Sequence, residues 1–350
     1  HDTLNLTFKD LSSNYYAQEQ HIGQNRAHVV HKMLAQLNPY VNVTVDTTTL
    51  SESHFVNNQI VVMCSRFVTD LTYYNNIARK NKTMFVSANT CGLFGQIFCD
   101  FGEKFVINDT DGELAKNGII METRDSGYFT NEFHELSVGE TVELNIDGKI
   151  TTDVVSEVNN TSESFSFKTA NSSTQPNIKP TKNSSFKQIK VPFEMSFMSL
   201  EESIKKPEFA TIISSDFERQ NILHAFNIAL DIFVKTYKRF PGSWNADDAS
   251  TMLKITAGMC EEKTLSSIHE ELIKKLSYTC GGKLCPVDSV IGSIAAQEVI
   301  KATSKKFTPI KQWFYFDAIN IFHKNMENMD VKTELTRYDG QIEILGNKLH

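Results

Sequence analysis

Residues 286–318, PVDSVIGSIAAQEVIKATSKKFTPIKQWFYFDA, constrain the fold most, because they join a small-residue helix to an aromatic strand through a short basic loop. Val290, Ile294 and Ile300 fall near one helical face, while Gly292, Ala295 and Ala296 are small enough to admit a neighbouring backbone. Trp313, Tyr315 and Asp317 alternate with Phe314 and Phe316, so the strand is bulky on both faces and predicts cover on each. The segment therefore predicts one α-to-β unit of a buried sheet.

The same texture fills residues 1–99. Val29, Val30, Met33, Leu34 and Leu37 predict a helix over 26–37, followed by an extended VNVTV at 41–45. QIVVMC (59–64) is a short continuous apolar run, as in a parallel strand covered on both faces. A helix over 69–80 and a buried strand TMFVSA (83–88) follow, giving a doubly wound α/β layout. After Asp100 the pattern breaks into KFVIND, GIIMETR, ETVELNI and SFSFKT, which predict a small all-β insertion. Residues 158–187 are dense in Asn, Ser and Thr with Pro176 and Pro180, and predict a mobile loop. From 200 to 279 the chain turns helical. Ile222, Phe226, Ala229, Leu230 and Phe233 form the clearest stripe, and two further helices complete a small bundle.

A formal net charge of −7 with scattered basic residues argues against a general nucleic-acid grip. No run approaches the ~20 apolar residues of a membrane span, and no signal peptide opens the sequence. Six cysteines in 350 residues are too sparse for a disulfide scaffold, which favours a cytoplasmic and nuclear location. Cys280 and Cys285 in CGGKLC lack a second Cys/His pair and do not read as a zinc site. Sequons such as Asn42-Val43-Thr44 are explained by an Asn/Ser/Thr-rich composition.

AAQEVIKA followed by KFTPIKQWFYFDA closely resembles the ubiquitin-activating enzyme (E1) family, near the end of its first, catalytically silent adenylation half. The resemblance recurs in order along nearly the whole chain, in DLSSNYY (10–16), IGQNRAHV (22–29), LNPYVNV (37–43), CGLFGQIFCDFGE (91–103), VPFEMSFMSLEES (191–203) and RYDGQIEILG (337–346). It implies an incomplete α/β domain, Rossmann-like and of the ThiF/MoeB type, interrupted by a small all-β domain and a helical bundle. The implied borders are 1–100 for the first part of the inactive adenylation domain and 101–190 for the first catalytic-cysteine half-domain. The four-helix bundle would take 191–280, the rest of the inactive domain 281–330, and the start of the active adenylation domain, with its first strand region, 331–350.

The chemistry that such a half would need is thin here. The sequence has no glycine-rich phosphate turn, and GLFG (92–95) runs into a strand instead of opening a helix. Where the family carries Asn-Leu-Asn-Arg-Gln-Phe, residues 10–15 read DLSSNY, so Ser13 stands in place of the phosphate-polarising arginine. Arg26 replaces a lysine that contacts ATP and reads as a solvated charge, Thr69 with its neighbour Asp70 stands near the Mg²⁺ acid, and Asp2 resembles the ribose-binding acid. The resemblance thus implies a degenerate site at Asp2, Ser13, Arg26 and Thr69, with no catalytic, cofactor or metal residue in this segment. Arg337 would face that degenerate pocket. None of the six cysteines matches the thioester-forming motif.

By this resemblance the segment is an N-terminally truncated piece of a larger enzyme that uses ATP and Mg²⁺ to adenylate the ubiquitin C-terminus. That enzyme then forms a ubiquitin thioester and passes it to E2 enzymes. The piece would scaffold its active half, touch ubiquitin weakly through the β insertion, and bind no nucleotide, nucleic acid or membrane. Alternatives are a non-catalytic interaction platform and an E1-like enzyme for another ubiquitin-like modifier. A stand-alone doubly wound oxidoreductase is disfavoured by the missing fingerprint and the inserted modules.

Overall fold

A computed structural model describes residues 1–64, 67–124, 127–160, 165–171, 184–210, 217–260, 265–322 and 329–349. The chain divides into two compact units, one comprising 1–105, 196–304 and 309–350, the other 106–195 with 305–308.

The first unit opens with α1 (Arg26–Leu37) and the short α2 (Ser53–Val56), followed by β1 (Ile60–Cys64), α3 (Val68–Lys80), β2 (Met84–Cys91) and β3 (Phe94–Asp100). Asn25 starts α1 because its Oδ1 accepts the N–H groups of Ala27 at 3.0 Å and His28 at 3.2 Å. The predicted helix is present, but none of its residues is buried. Residues 41–45 stay outside any named strand. β1 pairs parallel with β2, whereas β2 and β3 form a hairpin and β3 pairs antiparallel with the aromatic strand 313–317. The sheet is thus mixed, not the parallel sheet of the doubly wound expectation. Nor is β1 covered on both faces: Met63 is buried while Val62 is exposed.

The second unit contains β4 (Phe105–Ile107) at its border, then β5 (Asn117–Arg124), β6 (Gly127–Thr130), β7 (Thr141–Ile146), β8 (Lys149–Asn160), β9 (Phe165–Thr169), β10 (Ser185–Ile189) and β11 (Phe193–Met195). Strands β5 to β10 close into a barrel in the order β10-β5-β6-β9-β8-β7, which leaves no unpaired edge. Its interior holds Ile120, Tyr128, Leu136, Val142, Leu144, Val155, Phe167 and Phe186. The expected mobile loop over 158–187 is corrected here, because its two flanks are barrel strands. Phe167 and Phe186 are buried with ring centroids 5.3 Å apart, a burial worth roughly 1.5–3 kcal/mol for each side chain. The remaining parts of that stretch, 161–164 and 172–183, lie outside the described residues.

The chain returns to the first unit with α4 (Leu200–Lys205), α5 (Phe217–Tyr237), α6 (Ala246–Met259), α7 (Ser267–Thr279), α8 (Cys285–Ser304), β12 (Trp313–Asp317) and α9 (Asp339–Leu349). The α5 stripe Ile222, Phe226, Ala229, Leu230 and Phe233 is buried as its spacing predicts. It packs directly on the sheet, with Phe226 5.8 Å from Phe94, and Trp313 donates its indole N–H to Ser203 Oγ of α4 at 2.7 Å. Sheet and bundle therefore share one apolar core. α8 turns a different face inward from the one expected: Val287, Ile291, Ala295, Glu298 and Ala302 are buried, whereas Val290 and Ile300 are exposed and Ile294 is only partly covered. Glu298 is tolerated inside because Lys301 reaches its Oε1 at 2.6 Å and the Ile310 N–H donates to Oε2 at 2.8 Å. Residues 339–349, expected to open a strand region, are helical apart from a kink at Gly346, where φ is +70°. No described helix is long and apolar enough to cross a membrane.

Candidate functional site

The residues singled out from the sequence come together only in part. Residues 2–6 run beside 22–26, held by Leu6 N–H to Gln24 O at 2.8 Å and Arg26 N–H to Leu4 O at 3.1 Å. Asn25 completes the junction, its Nδ2 donating to Asp2 O at 2.8 Å. That register places Arg26 against Asp2. Its guanidinium donates through Nε to Asp2 Oδ2 at 2.9 Å and through Nη2 to Oδ1 at 3.2 Å, while Nη1 donates to Asp10 Oδ1 at 3.1 Å. Arg26 is thus not the solvated charge expected of it, but a cation shared by two carboxylates.

Asp10 is the residue that sequence reasoning undervalued. Its Oδ2 accepts the Thr7 N–H at 2.8 Å and the Thr7 hydroxyl at 2.7 Å, at the entry to a 3-10 turn, Lys9–Ser12. Burial pushes the Asp10 carboxyl up, but the Thr7 bonds and Arg26 together outweigh it and hold it below its usual range. Two carboxylates thus share one guanidinium. A polyphosphate approaching it would meet carboxylates, and Arg26 would have to give up both partners to turn toward it.

Ser13 ends the 3-10 turn, its N–H directed at Asp10 O, and brings no charge. Thr69 belongs to a different environment: its N–H donates to Asp231 Oδ2 at 3.1 Å, and Lys235 donates to its hydroxyl. Its neighbour Asp70 is exposed. Arg337 donates to Ala17 O at 3.0 Å, beside an open concavity lined by Gln18, Glu19 and Gln20. The residues present at Asp2, Ser13, Arg26 and Thr69 therefore do not fit a magnesium-bound triphosphate.

Around this cluster the chain crosses itself closely. Gly340 N–H donates to Ser12 Oγ at 3.1 Å, Lys9 pairs with Glu343 at 2.7 Å, and Lys283 N–H donates to Gly340 O at 3.0 Å. A Cβ on Gly340 would lie 2.7 Å from Lys283 Cβ and 2.8 Å from Ser12 Oγ. CGGKLC is accordingly a packing loop: Gly282 accepts the Gly92 N–H at 3.1 Å, Cys280 is buried and Cys285 exposed. Burial pushes the Cys280 and Cys99 thiols well above their ordinary range and Cys91 to about 11, so these three stay protonated.

An α/β unit that shares its core with a helical bundle, and a separate small closed barrel, define a modular protein in which Arg26 is held by Asp2 and Asp10. Residues 191–259 match the family model of the ubiquitin-activating enzyme E1 four-helix bundle. The whole chain is similar to ubiquitin-like modifier-activating enzyme 1 of Homo sapiens, at 33% identity over 100% of this chain and 34% of that protein. It is 32% identical to ubiquitin-activating enzyme E1 1 of Schizosaccharomyces pombe, over 99% of this chain and 35% of that protein. Ubiquitin-activating enzyme E1 2 of Arabidopsis thaliana gives 32%, over 100% and 34%. The chain is similar along nearly its whole length to these ubiquitin-activating enzymes, and spans about a third of their length.

Proposed function

We propose that this chain is the silent adenylation half of a ubiquitin-activating enzyme, together with the barrel and bundle inserted in it. In this reading the sheet of the first unit is a Rossmann-like, ThiF-type sheet, with borders near 100, 190, 280 and 330. The whole enzyme uses ATP and Mg²⁺ to adenylate the ubiquitin C-terminus, makes a ubiquitin thioester on a cysteine elsewhere, and delivers it to E2 enzymes in the cytoplasm and nucleus. The segment acts as scaffold. Its partners are the active adenylation half and, weakly through the barrel, ubiquitin.

The observation that carries the scaffold role is the capture of Arg26 by Asp2 and Asp10, which removes the cation a phosphate would require. The open apolar face of α8, with Val290 and Ile300 exposed beside Gly292 and Ala296, supports docking of a second α/β half. Two measurements test the proposal. The 350-residue chain should give no ATP–pyrophosphate exchange with ubiquitin above a protein-free control. Exchanged for the matching third of the Schizosaccharomyces pombe relative, it should preserve ubiquitin thioester formation. Exchange by the chain alone, or a folded chimera without thioester activity, would contradict the proposal.

A further inference from the structure

His1, Asp46 and His54 each offer a ligating atom, and these three atoms lie within 4.8 Å of one another. Asp2 N–H donates to Asp46 O at 3.1 Å, which draws the first residues alongside the 41–56 segment and sets the His1 ring 5.1 Å from that of His54, edge to face.

Each side chain is held in a way suited to ligation. Asp46 Oδ1 accepts both the N–H and the hydroxyl of Thr48, at 2.8 and 2.7 Å, leaving Oδ2 directed at His54 Nε2, 3.0 Å away. His1 Nε2 lies 2.7 Å from Thr48 O, an arrangement that keeps the proton on Nε2 and the lone pair on Nδ1. His54 Nδ1 is 3.1 Å from both the N–H and the carbonyl oxygen of Ser51. Ser51 can therefore serve either tautomer: its N–H donates to Nδ1 when Nε2 carries the proton, and its carbonyl accepts from Nδ1–H when Nε2 gives its lone pair to a metal. A backbone acceptor on the far ring nitrogen is the usual outer-shell support of a ligating histidine.

We propose that His1, Asp46 and His54 form a binding site for a divalent transition metal, with zinc the fitting ion. Two imidazoles and one carboxylate make a borderline nitrogen/oxygen set, which suits Zn²⁺ better than the all-oxygen sets taken by Mg²⁺ or Ca²⁺. Tetrahedral bonds of about 2.0–2.2 Å require ligand atoms roughly 3.3 Å apart. The His54–Asp46 separation already meets this, and His1, which is exposed, completes the set by a small inward shift. Three protein ligands leave the fourth position to water. The ion would clasp residues 1–2 to the 46–54 segment, immediately beside the Arg26–Asp2 pair.

Calorimetric titration of the 350-residue chain with zinc chloride, in parallel with cobalt(II) absorption, tests the site. One equivalent should bind, and His54→Ala and Asp46→Asn should each weaken it more than about tenfold while circular dichroism stays unchanged. Acetylating the α-amino group should leave uptake intact, since only imidazoles and a carboxylate are invoked. Three results would overturn the proposal: no uptake by the unaltered chain in excess zinc, uptake retained by both variants, or uptake lost on acetylation. Cobalt-to-thiolate charge-transfer bands would do the same, by assigning the metal to exposed Cys64 or Cys285.

Discussion

Gly92 sits in the two-residue turn between β2 and β3 with φ +59°, and a Cβ there would fall 1.9 Å from Thr279 O and 2.6 Å from Thr279 C. Both obstacles are backbone at the end of α7, so no rotamer change relieves them. Gly92→Ala incurs about 1–2 kcal/mol for the left-handed conformation and about 1–3 kcal/mol for overpacking. The sum is about 2–5 kcal/mol. Gly102→Ala separates the two effects, because Gly102 also has positive φ, +92°, but nothing within 4 Å of its ideal Cβ. Gly292→Ala should go the other way, gaining about 0.5–1 kcal/mol, since Gly292 is an exposed helical position with open space around it. Urea unfolding read by tryptophan fluorescence is the suitable assay: Trp244 stacks on Tyr278 of α7 and Trp313 lies in the shared core. A lower midpoint at constant slope is expected for Gly92→Ala. If Gly92→Ala proved no less stable than Gly102→Ala, the close crossing of the hairpin turn with α7 would be refuted.

Asp100, 2% exposed, accepts from Arg79 Nη1 at 2.9 and 3.0 Å and from Asn75 Nδ2 at 2.8 Å; Asp100→Ala should therefore cost about 3–5 kcal/mol in chemical denaturation. A loss below about 1 kcal/mol, the value of a surface pair, would contradict it. Burial lowers the His134 and His224 imidazoles from their ordinary 6.5, outweighing the Ser166 and Ile204 carbonyl contacts that raise them. Their contribution to stability is complete above 6.5 and lost as pH falls toward the lower folded values, so both rings should titrate below 6.5 by NMR; titration at or above it would overturn the burial argument. In the second unit, the Lys190 hydrogen bond holds Asp109 down to about 2 from 3.8, and its contribution, present above 3.8, should disappear as pH falls to about 2. Lys190→Met should flatten the acid limb of barrel unfolding over that window, and an unchanged limb would refute the pairing.

The helices and the aromatic strand were legible because their burial follows local periodicity, as the α5 stripe from Ile222 to Phe233 shows. α8 shows where periodicity misleads. Val290 and Ile300 are matched in apolar character by Val287 and Ile291, and it is the latter stripe, with Ala295, Glu298 and Ala302, that goes inward, where Glu298 finds its partners in Lys301 and the Ile310 N–H. Composition misled over 158–187 for a related reason: polar residues outnumber Phe165, Phe167 and Phe186, but alternation lets a few aromatics fill one side of a barrel wall. Barrel closure, through β10 pairing with both β5 and β7, depends on partners far apart in sequence and has no local signal.

The site was legible in its losses more than in its contacts. Ser13 could be seen to lack charge, but that Arg26 is claimed by Asp2 and Asp10 depends on residues 24 and 16 positions away meeting through the Leu4 and Gln24 backbone bonds. The same rearrangement bears on the His1, Asp46 and His54 cluster, whose members are dispersed in sequence and gathered by the Asp2–Asp46 backbone bond. Asp2 thus faces two ways, its carboxylate pairing with Arg26 and its N–H fastening the segment that carries Asp46. Removing only the carboxylate with Asp2→Ala should leave Arg26 held by Asp10 alone while sparing the backbone bond. A metal site that survives Asp2→Ala would show that the clasp and the Arg26–Asp2 pair are separable devices built on one residue.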